Sequence, residues 1–159
     1  MKVLITTDGS DAAIDGAHRA LELLQPGIEV TLAMVIPERE DPMMTASGFA
    51  GPLVTEEEAT ADFAESVEGG RAALQHTVDA LNDSELTEGD TLETRLIPSG
   101  EDAASAIVTE AERTGVDLIV IGSSGKGAWR RLFGGSVSEK VAREAPCPVL
   151  IAPPRASDD

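Results

Sequence analysis

The chain has 159 residues, 42% of them hydrophobic and 26% charged, which is typical of one globular domain with a buried core. Its 29 acidic residues outnumber the 12 basic ones and give a formal net charge of −17, which argues against nucleic acid and anionic membranes as partners. The single cysteine, Cys147, excludes an internal disulfide, and with no signal-like leader or apolar run of about 20 residues we expect a cytoplasmic protein.

The first third of the chain alternates between strand-like and helical patterns. Residues 2–7 form an apolar run that ends in the turn sequence DGS, which predicts a buried strand. Apolar residues at helical spacing follow from Ser10, and the Pro-Gly pair at 26–27 predicts the end of that helix. Residues 28–36 read as a second strand, and the Gly- and Pro-containing segment 37–55 predicts a long loop.

The rest of the chain predicts three more helices and three more strands in alternation. In chain order these are a helix over 55–81, a strand over 91–98, an Ala-rich helix ending at Arg113, a strand over 116–122, a helix over 136–145 and a strand over 147–154. The glycine pair at 69–70 is expected to weaken or kink the first of these helices. The strand over 116–122 is the most apolar run and is expected in the interior of the sheet.

This alternation predicts an α/β fold, a single-domain doubly wound, five-stranded parallel sheet with helices on both faces. Right-handed crossovers leave few strand orders, of which we expect 3-2-1-4-5. We expect this domain to occupy residues 1–153 and residues 154–159 to form a flexible acidic tail. In such sheets ligands bind at the switch point, outside the carboxyl ends of the strands. If strand one lies beside strand four, the loops TTDGS and GSSGKGAWRRLFGGS face that crevice.

The second of these loops, residues 122–136, differs in composition from the rest of the chain. It holds five of the 15 glycines and three of the 12 basic residues, and it has no acid. Glycines let the backbone approach a ligand closely, and the N–H groups at the start of the next helix are free to bind an anion. A phosphate is therefore the predicted occupant. The alternative is a solvated loop with an ordinary helix cap, because Ser136 and Glu139 have capping-box spacing.

The loop carries no P-loop and no dinucleotide-binding motif, but it matches the pattern G-x₂-G-x₉-G-[ST] at Gly122, Gly125 and Gly135-Ser136. This pattern resembles the nucleotide-binding signature of the universal stress protein family. The resemblance extends over nearly the whole chain, from the opening strand ending in DGS to the segment GGSVSEKVAREAPCPVLIAP.

The resemblance implies that the chain binds ATP between the first and fourth strands. Asp8 matches the family acid near the ribose and phosphates, which would help to place a divalent ion such as Mg²⁺. Thr6 would line the pocket near the base, and Val35 would lie beside the adenine. The other binding positions that it implies lie on the glycine-rich loop and the helix after it: Gly122, Ser124, Gly125, Lys126, Gly135, Ser136 and Val137. At Glu101-Asp102 the chain departs from the family, which often has a proline there, and this puts the local turn in doubt.

Catalysis has little support in the sequence. His18 and His76 lie on predicted helices away from the glycine-rich loop, and Cys147 is better explained as a small packing residue than as a nucleophile. Asp8 would support slow ATP hydrolysis at most, since no second base or arginine finger accompanies it. We also find no cluster of residues with the spacing of metal ligands. Two functions remain: an ATP-binding stress-response or signalling protein, which the motif favours, and a non-catalytic interaction or dimerisation module whose pocket is empty or holds another ligand.

Two further expectations concern the whole molecule. The last strand, within CPVLIAPP, is placed at the edge of the sheet, and the family often dimerises by pairing this strand with its twofold mate, which predicts a homodimer. The acidic composition suggests a halophilic source, with a merely acidic mesophilic protein as the alternative.

Overall fold

The structure is a computed structural model that describes residues 1–39, 56–82, 86, 88–100, 102–122 and 137–152. Over these residues strands and helices alternate along the chain. They are β1 (Lys2–Thr6), α1 (Asp11–Leu21), β2 (Glu29–Pro37), α2 (Glu56–Asn82), β3 (Thr91–Ser99), α3 (Ala103–Thr114), β4 (Leu118–Gly122), α4 (Val137–Glu144) and β5 (Val149–Ala152). Residues 40–55 of the predicted loop and the predicted tail 154–159 lie outside the described residues.

The five strands form one parallel sheet of order β3-β2-β1-β4-β5, which confirms the predicted fold. β1 lies at the centre and pairs with β2 on one side and β4 on the other. Thr6, at its last position, stands opposite Ala33 of β2 and Ile121 of β4. The chain therefore changes direction between β1 and β4, and the carboxyl ends of these two strands are neighbours.

The sheet separates two aliphatic cores, because successive side chains of a strand point to opposite faces. The first core packs under α3 and α4 and includes Leu4, Ala33, Val35, Ile97, Ile107, Ala111, Ile119, Ile121 and Val141. The second packs under α1 and α2 and includes Val3, Ile5, Ala17, Leu21, Val30, Leu32, Leu74, Leu81 and Val120. Both faces are thus covered by helices, as a parallel sheet requires.

Helix α1 begins where the sequence predicts and ends earlier. Ser10 is its N-cap, and its hydroxyl accepts a hydrogen bond from the backbone N–H of Ala13. The helix closes at Leu21, after which Leu23 and Leu24 donate to carbonyls only three residues back. The expected extension to the Pro-Gly pair is therefore wrong, since a tighter turn takes up the last residues.

The glycine pair of α2 does not interrupt the helix, which runs unbroken for 27 residues. A Cβ at Gly70 would lie 2.8 Å from Leu96 Cδ2 and 2.9 Å from Ile36 Cγ2. Glycine at this position therefore lets α2 lie close to β2 and β3. None of the described helices has the length and apolar character needed to cross a membrane.

Candidate functional site

The carboxyl ends of β1 and β4 form the floor of the candidate site. β1 ends at Thr6 and β4 ends at Gly122, one position past Ile121, which stands opposite Thr6, so the chain leaves the sheet at two neighbouring points. One exit leads into the DGS turn and α1, and the other leads toward the segment that precedes α4. Two of the predicted site positions, Asp8 and Gly122, are thereby placed on adjacent exits although they are far apart in sequence.

Thr6 and Val35 are buried beneath this edge of the sheet. The Thr6 hydroxyl donates to the carbonyl of Val120 at 3.2 Å, and the residue is only 4% exposed. Val35 is 7% exposed and packs in the core under α3 and α4. Both side chains are therefore committed to contacts within the protein and shape the floor of the site.

Asp8 lies in the turn between β1 and α1, where it is held by Ser10. Its Oδ1 accepts hydrogen bonds from the backbone N–H of Ser10 at 3.1 Å and from the Ser10 hydroxyl at 2.5 Å. Since Ser10 also caps α1, the carboxylate is fixed at the amino-terminal end of that helix, where negative charge is favoured. The predicted acid thus has a defined orientation at the switch point.

The same turn is tied to α2 by a buried hydrogen-bond chain. The Gly9 N–H donates to the Thr7 hydroxyl at 3.1 Å, and this oxygen lies 3.3 Å from the Thr77 hydroxyl, which donates to the carbonyl of Ala73 at 3.0 Å. Thr7 is 1% exposed and Thr77 is fully buried. Because Thr77 uses its proton on Ala73, Thr7 donates to Thr77 and remains free to accept from Gly9.

Position 9 requires glycine for two reasons. Its φ is +74°, in the left-handed region, and a Cβ there would lie 2.7 Å from Ala73 Cβ. The turn that carries Asp8 therefore rests directly on α2. Sequence reasoning did not identify Thr77 or Ala73 as neighbours of this turn, because the contact joins residues about 70 positions apart and no local pattern marks it.

The remaining described positions of the predicted site are Gly122 and Val137. A Cβ at Gly122 would lie 3.7 Å from the Ala13 Cα of α1, an ordinary contact. Val137 is the first residue of α4 and packs, half-buried, against the core under α3 and α4. The other positions predicted for the site, Ser124, Gly125, Lys126, Gly135 and Ser136, lie outside the described residues.

A charged cluster at the same edge of the sheet was not foreseen. Asp102 is the N-cap of α3, and its carboxylate also binds Lys140 of α4 and the Ser105 hydroxyl. The hydrogen bond from Lys140 is the main cause that lowers the pKa of Asp102 to about 2. Of the turn Glu101-Asp102, at which the sequence departs from the family, Asp102 is an ordinary helix cap, and Glu101 lies outside the described residues.

The residues considered for catalysis lie elsewhere. His18 is on α1 and His76 is on α2, as predicted. Burial raises the pKa of the Cys147 thiol, and the side chain packs against the core, which favours a packing role over that of a nucleophile. Within the described ranges, no group of three or more histidine, cysteine or acidic side chains is arranged to hold a metal ion.

Comparison with known proteins identifies the relatives of this chain. The family model described as the universal stress protein family matches residues 1–153. A universal stress protein of Methanocaldococcus jannaschii is 29% identical over 157 residues, which cover 94% of this chain and 80% of the relative. A universal stress protein of Bacillus subtilis is 28% identical over 151 residues, covering 94% of this chain and 97% of the relative.

Solved structures share the fold over almost the full length. A hypothetical protein studied as a test case of structural genomics superposes with a TM-score of 0.70 at 26% identity, covering 98% of this chain and 97% of that one. A universal stress protein family member of Arabidopsis thaliana with AMP bound gives a TM-score of 0.63 at 21% identity and covers 99% and 97%. The universal stress protein of Archaeoglobus fulgidus in complex with dAMP gives 0.53 at 21% and covers 96% and 97%.

Proposed function

The chain belongs to the universal stress protein family, and from that premise we propose that it is an ATP-binding protein of stress response or signalling. The nucleotide would lie over the carboxyl ends of β1 and β4, with its phosphates held by the loop that carries the G-x₂-G-x₉-G-S pattern. Relatives of the same fold have been solved with AMP and with dAMP, and a third is described in complex with cAMP. An adenine nucleotide is therefore the ligand class that these relatives support.

The observation that carries the proposal is that β1 and β4 are parallel neighbours whose carboxyl ends lie side by side. Thr6 and Ile121 stand opposite each other, so the turn bearing Asp8 and the start of the glycine-rich loop at Gly122 open side by side. Switch points of this kind are where open α/β sheets bind their ligands. A loop that is rich in glycine and basic residues suits a polyphosphate at this position.

The described residues fit an adenine nucleotide in their chemistry. Gly122 leaves the exit of β4 without a side chain, Val35 gives the floor an apolar component, and the amino-terminal turn of α4 has backbone N–H groups of the kind that bind phosphate. ATP itself would supply a phosphate chain whose charge is compensated by Mg²⁺. The Asp8 carboxylate, fixed by Ser10, would stand near that cation.

We further propose that the protein is a homodimer that pairs through β5. This strand lies at the edge of the sheet, and Ile151 is 42% exposed on it. An exposed apolar edge strand presents unpaired backbone groups that a second copy could satisfy. We also propose a cytoplasmic location, since Cys147 is a free thiol and thiols remain reduced there.

The nucleotide content of the purified protein tests the proposal. We expect heat denaturation to release an adenine nucleotide, identified by mass spectrometry, in an amount approaching one molecule per chain. After the protein has been stripped by unfolding and refolding, it should take up ATP again and not GTP to the same extent. Release of no nucleotide, together with no uptake of added ATP, would favour the alternative of an interaction module with an empty or different pocket.

A further inference from the structure

Helices α3 and α4 are joined by a small polar cluster at the edge of the sheet that carries the candidate site. The Lys140 ammonium binds the Asp102 carboxylate and lies 3.1 Å from the Ser105 hydroxyl, which also donates to Asp102. Asp102 at the same time accepts from the backbone N–H of Ala104 at 3.1 Å, as the cap of α3. One carboxylate thus serves the start of α3 and the first turn of α4 together.

The cluster matters because it ties the short helix α4 to its neighbour α3. The helix has eight residues; Val141 is buried, and Val137 packs half-buried against the same core. These apolar contacts hold α4 against the core, and a directional polar contact with α3 further restricts its orientation. Lys140 precedes Val141 by one position and lies one turn after Val137, so its bond to α3 sets the direction of the first turn.

Other charges near Lys140 are weaker partners. Glu144, one turn further along α4, lies 3.9 Å from the Lys140 ammonium, and Arg143 is mostly exposed and pairs with the same Glu144 at 3.6 Å. These two contacts stay within α4, whereas the contact of Lys140 with Asp102 and Ser105 crosses to α3.

We propose that Asp102 and Lys140 are positioning residues for the nucleotide: their pairing fixes the first turn of α4, including Val137, in the orientation that binds phosphate. This inference rests on the proposed function, because it assigns a role toward the same ligand. It concerns residues that the nucleotide-binding pattern does not contain and that reach the ligand through the helix they orient.

A positioning role and a long-range effect of charge predict opposite changes in ATP affinity for Asp102→Asn. If the two residues acted only through their long-range fields, Asp102→Asn would strengthen the binding of an anionic ligand and Lys140→Gln would weaken it. If they act by positioning α4, both substitutions weaken binding, because each breaks the same contact. Asparagine keeps the capping oxygen, so α3 retains its N-cap in the first variant.

Calorimetric titration with ATP and Mg²⁺ tests the pair. We expect each single variant to bind ATP about three- to fivefold more weakly, the range set by a partly exposed ion pair. The double variant should be no weaker than either single one, because the contact can be lost only once. Urea unfolding of every variant verifies that it is folded at the titration temperature.

Two control variants each remove one charge of the same sign from the same helices and leave the Asp102–Lys140 contact intact. Arg143→Gln removes one positive charge from α4, and Glu112→Gln removes one negative charge from an exposed position of α3. Both should change ATP affinity by less than about twofold. Tighter binding by Asp102→Asn, or effects of the two variants that add in the double variant, would overturn the positioning role. A native protein that binds no ATP would instead overturn the proposed function, and this inference with it.

Discussion

A substitution at Gly122 should affect the stability of the protein and its affinity for ATP to different extents. Its φ lies outside the left-handed region, and an added Cβ would meet Ala13 Cα at 3.7 Å, which is ordinary contact. We therefore expect Gly122→Ala to change the free energy of unfolding by about 0.5 kcal/mol or less. ATP affinity should fall about tenfold, because the methyl group would stand where the ligand approaches. Urea unfolding and calorimetry on one sample measure both, and unchanged affinity would argue against this exit as the binding point.

For Thr77, which lies on α2, we expect a substitution to lower the stability of the protein. Thr77→Val keeps the shape but leaves the buried Thr7 hydroxyl without its acceptor, at a cost of about 1–3 kcal/mol in the free energy of unfolding. Thr60→Val on the same helix is the control, because its hydroxyl also donates to a carbonyl four residues back, and the hydrogen bond that it accepts, from Arg39, is exposed to solvent rather than buried. We expect that control to cost about 0.5 kcal/mol or less. Equal losses in the two variants would show that the bond to Thr7 contributes nothing special.

At the scale of elements, the cap of α3 predicts a dependence on pH. Lys140 holds the pKa of Asp102 at about 2 in the folded protein, below its ordinary value of 3.8. A lowered folded-state pKa means that the contribution to stability is complete above the unfolded value and is lost as the pH falls toward the folded one. Asp102→Asn should therefore be less stable than the native protein at neutral pH, and the difference should shrink between about pH 4 and pH 2. Urea unfolding at several pH values checks this, and a difference independent of pH would contradict it.

A second ion-pair cluster on α3 adds to the same acid sensitivity. Burial raises the pKa of the Glu110 carboxyl, but Arg113 and Arg95 together lower it by more, so that the pKa lies below its usual value. Arg95 reaches Glu110 from β3 at 3.0 Å and Arg113 from the next turn of α3 at 2.7 Å. The Asp102→Asn variant should therefore retain part of the acid sensitivity of the native protein, because its Glu110 cluster is intact.

The elements themselves could be predicted from the sequence to a large extent. Strand and helix alternation with right-handed crossovers left few strand orders, the expected one of which is observed, and the DGS turn was correctly placed at the end of β1. The end of α1 was missed because its last apolar residue, Leu24, continues the helical spacing in a turn that is no longer helical. The packing contact at Gly70 was missed because helix propensity says nothing of the close approach to Leu96 that this glycine permits.

The placement of two candidate site residues could be predicted from the topology. Asp8 and Gly122 lie at the ends of the neighbouring strands β1 and β4, as expected, while their role toward a nucleotide stays a prediction from the motif. The contacts that support them, Thr77 with Thr7 and Lys140 with Asp102, join residues 70 and 38 positions apart. Pairings at such distances leave no periodicity or spacing in the sequence and become visible only when the helices are packed on the sheet.

At the scale of the whole molecule, the net charge of −17 and the edge strand β5 act against each other. Repulsion between two acidic chains opposes the proposed homodimer and is screened by salt, so dimerisation should strengthen from about 0.1 M to about 1 M salt. Ile151→Lys is the informative variant, because Ile151 is exposed whereas Leu150 packs against the core. Light scattering across the salt series should show a dimer for the native chain and a monomer for the variant. A native chain that stays monomeric throughout would contradict the dimer.

The same salt series bears on the hypothesis of a halophilic source. A chain adapted to salt should gain stability against urea as screening reduces its self-repulsion, and it should be least stable in dilute buffer. Full stability in dilute buffer would favour the alternative of an acidic mesophilic protein.

The central claim is that the chain binds ATP at the switch point between β1 and β4, and one calorimetric titration tests it most directly. Protein stripped of nucleotide would be titrated with ATP in Mg²⁺, beside Gly135→Val, in which a branched side chain is placed in the phosphate-binding pattern. The account predicts one site per chain in the native protein and the loss of binding in a variant that remains folded. Absence of binding by the native protein up to millimolar ATP, or equal affinity in the folded variant, would contradict it.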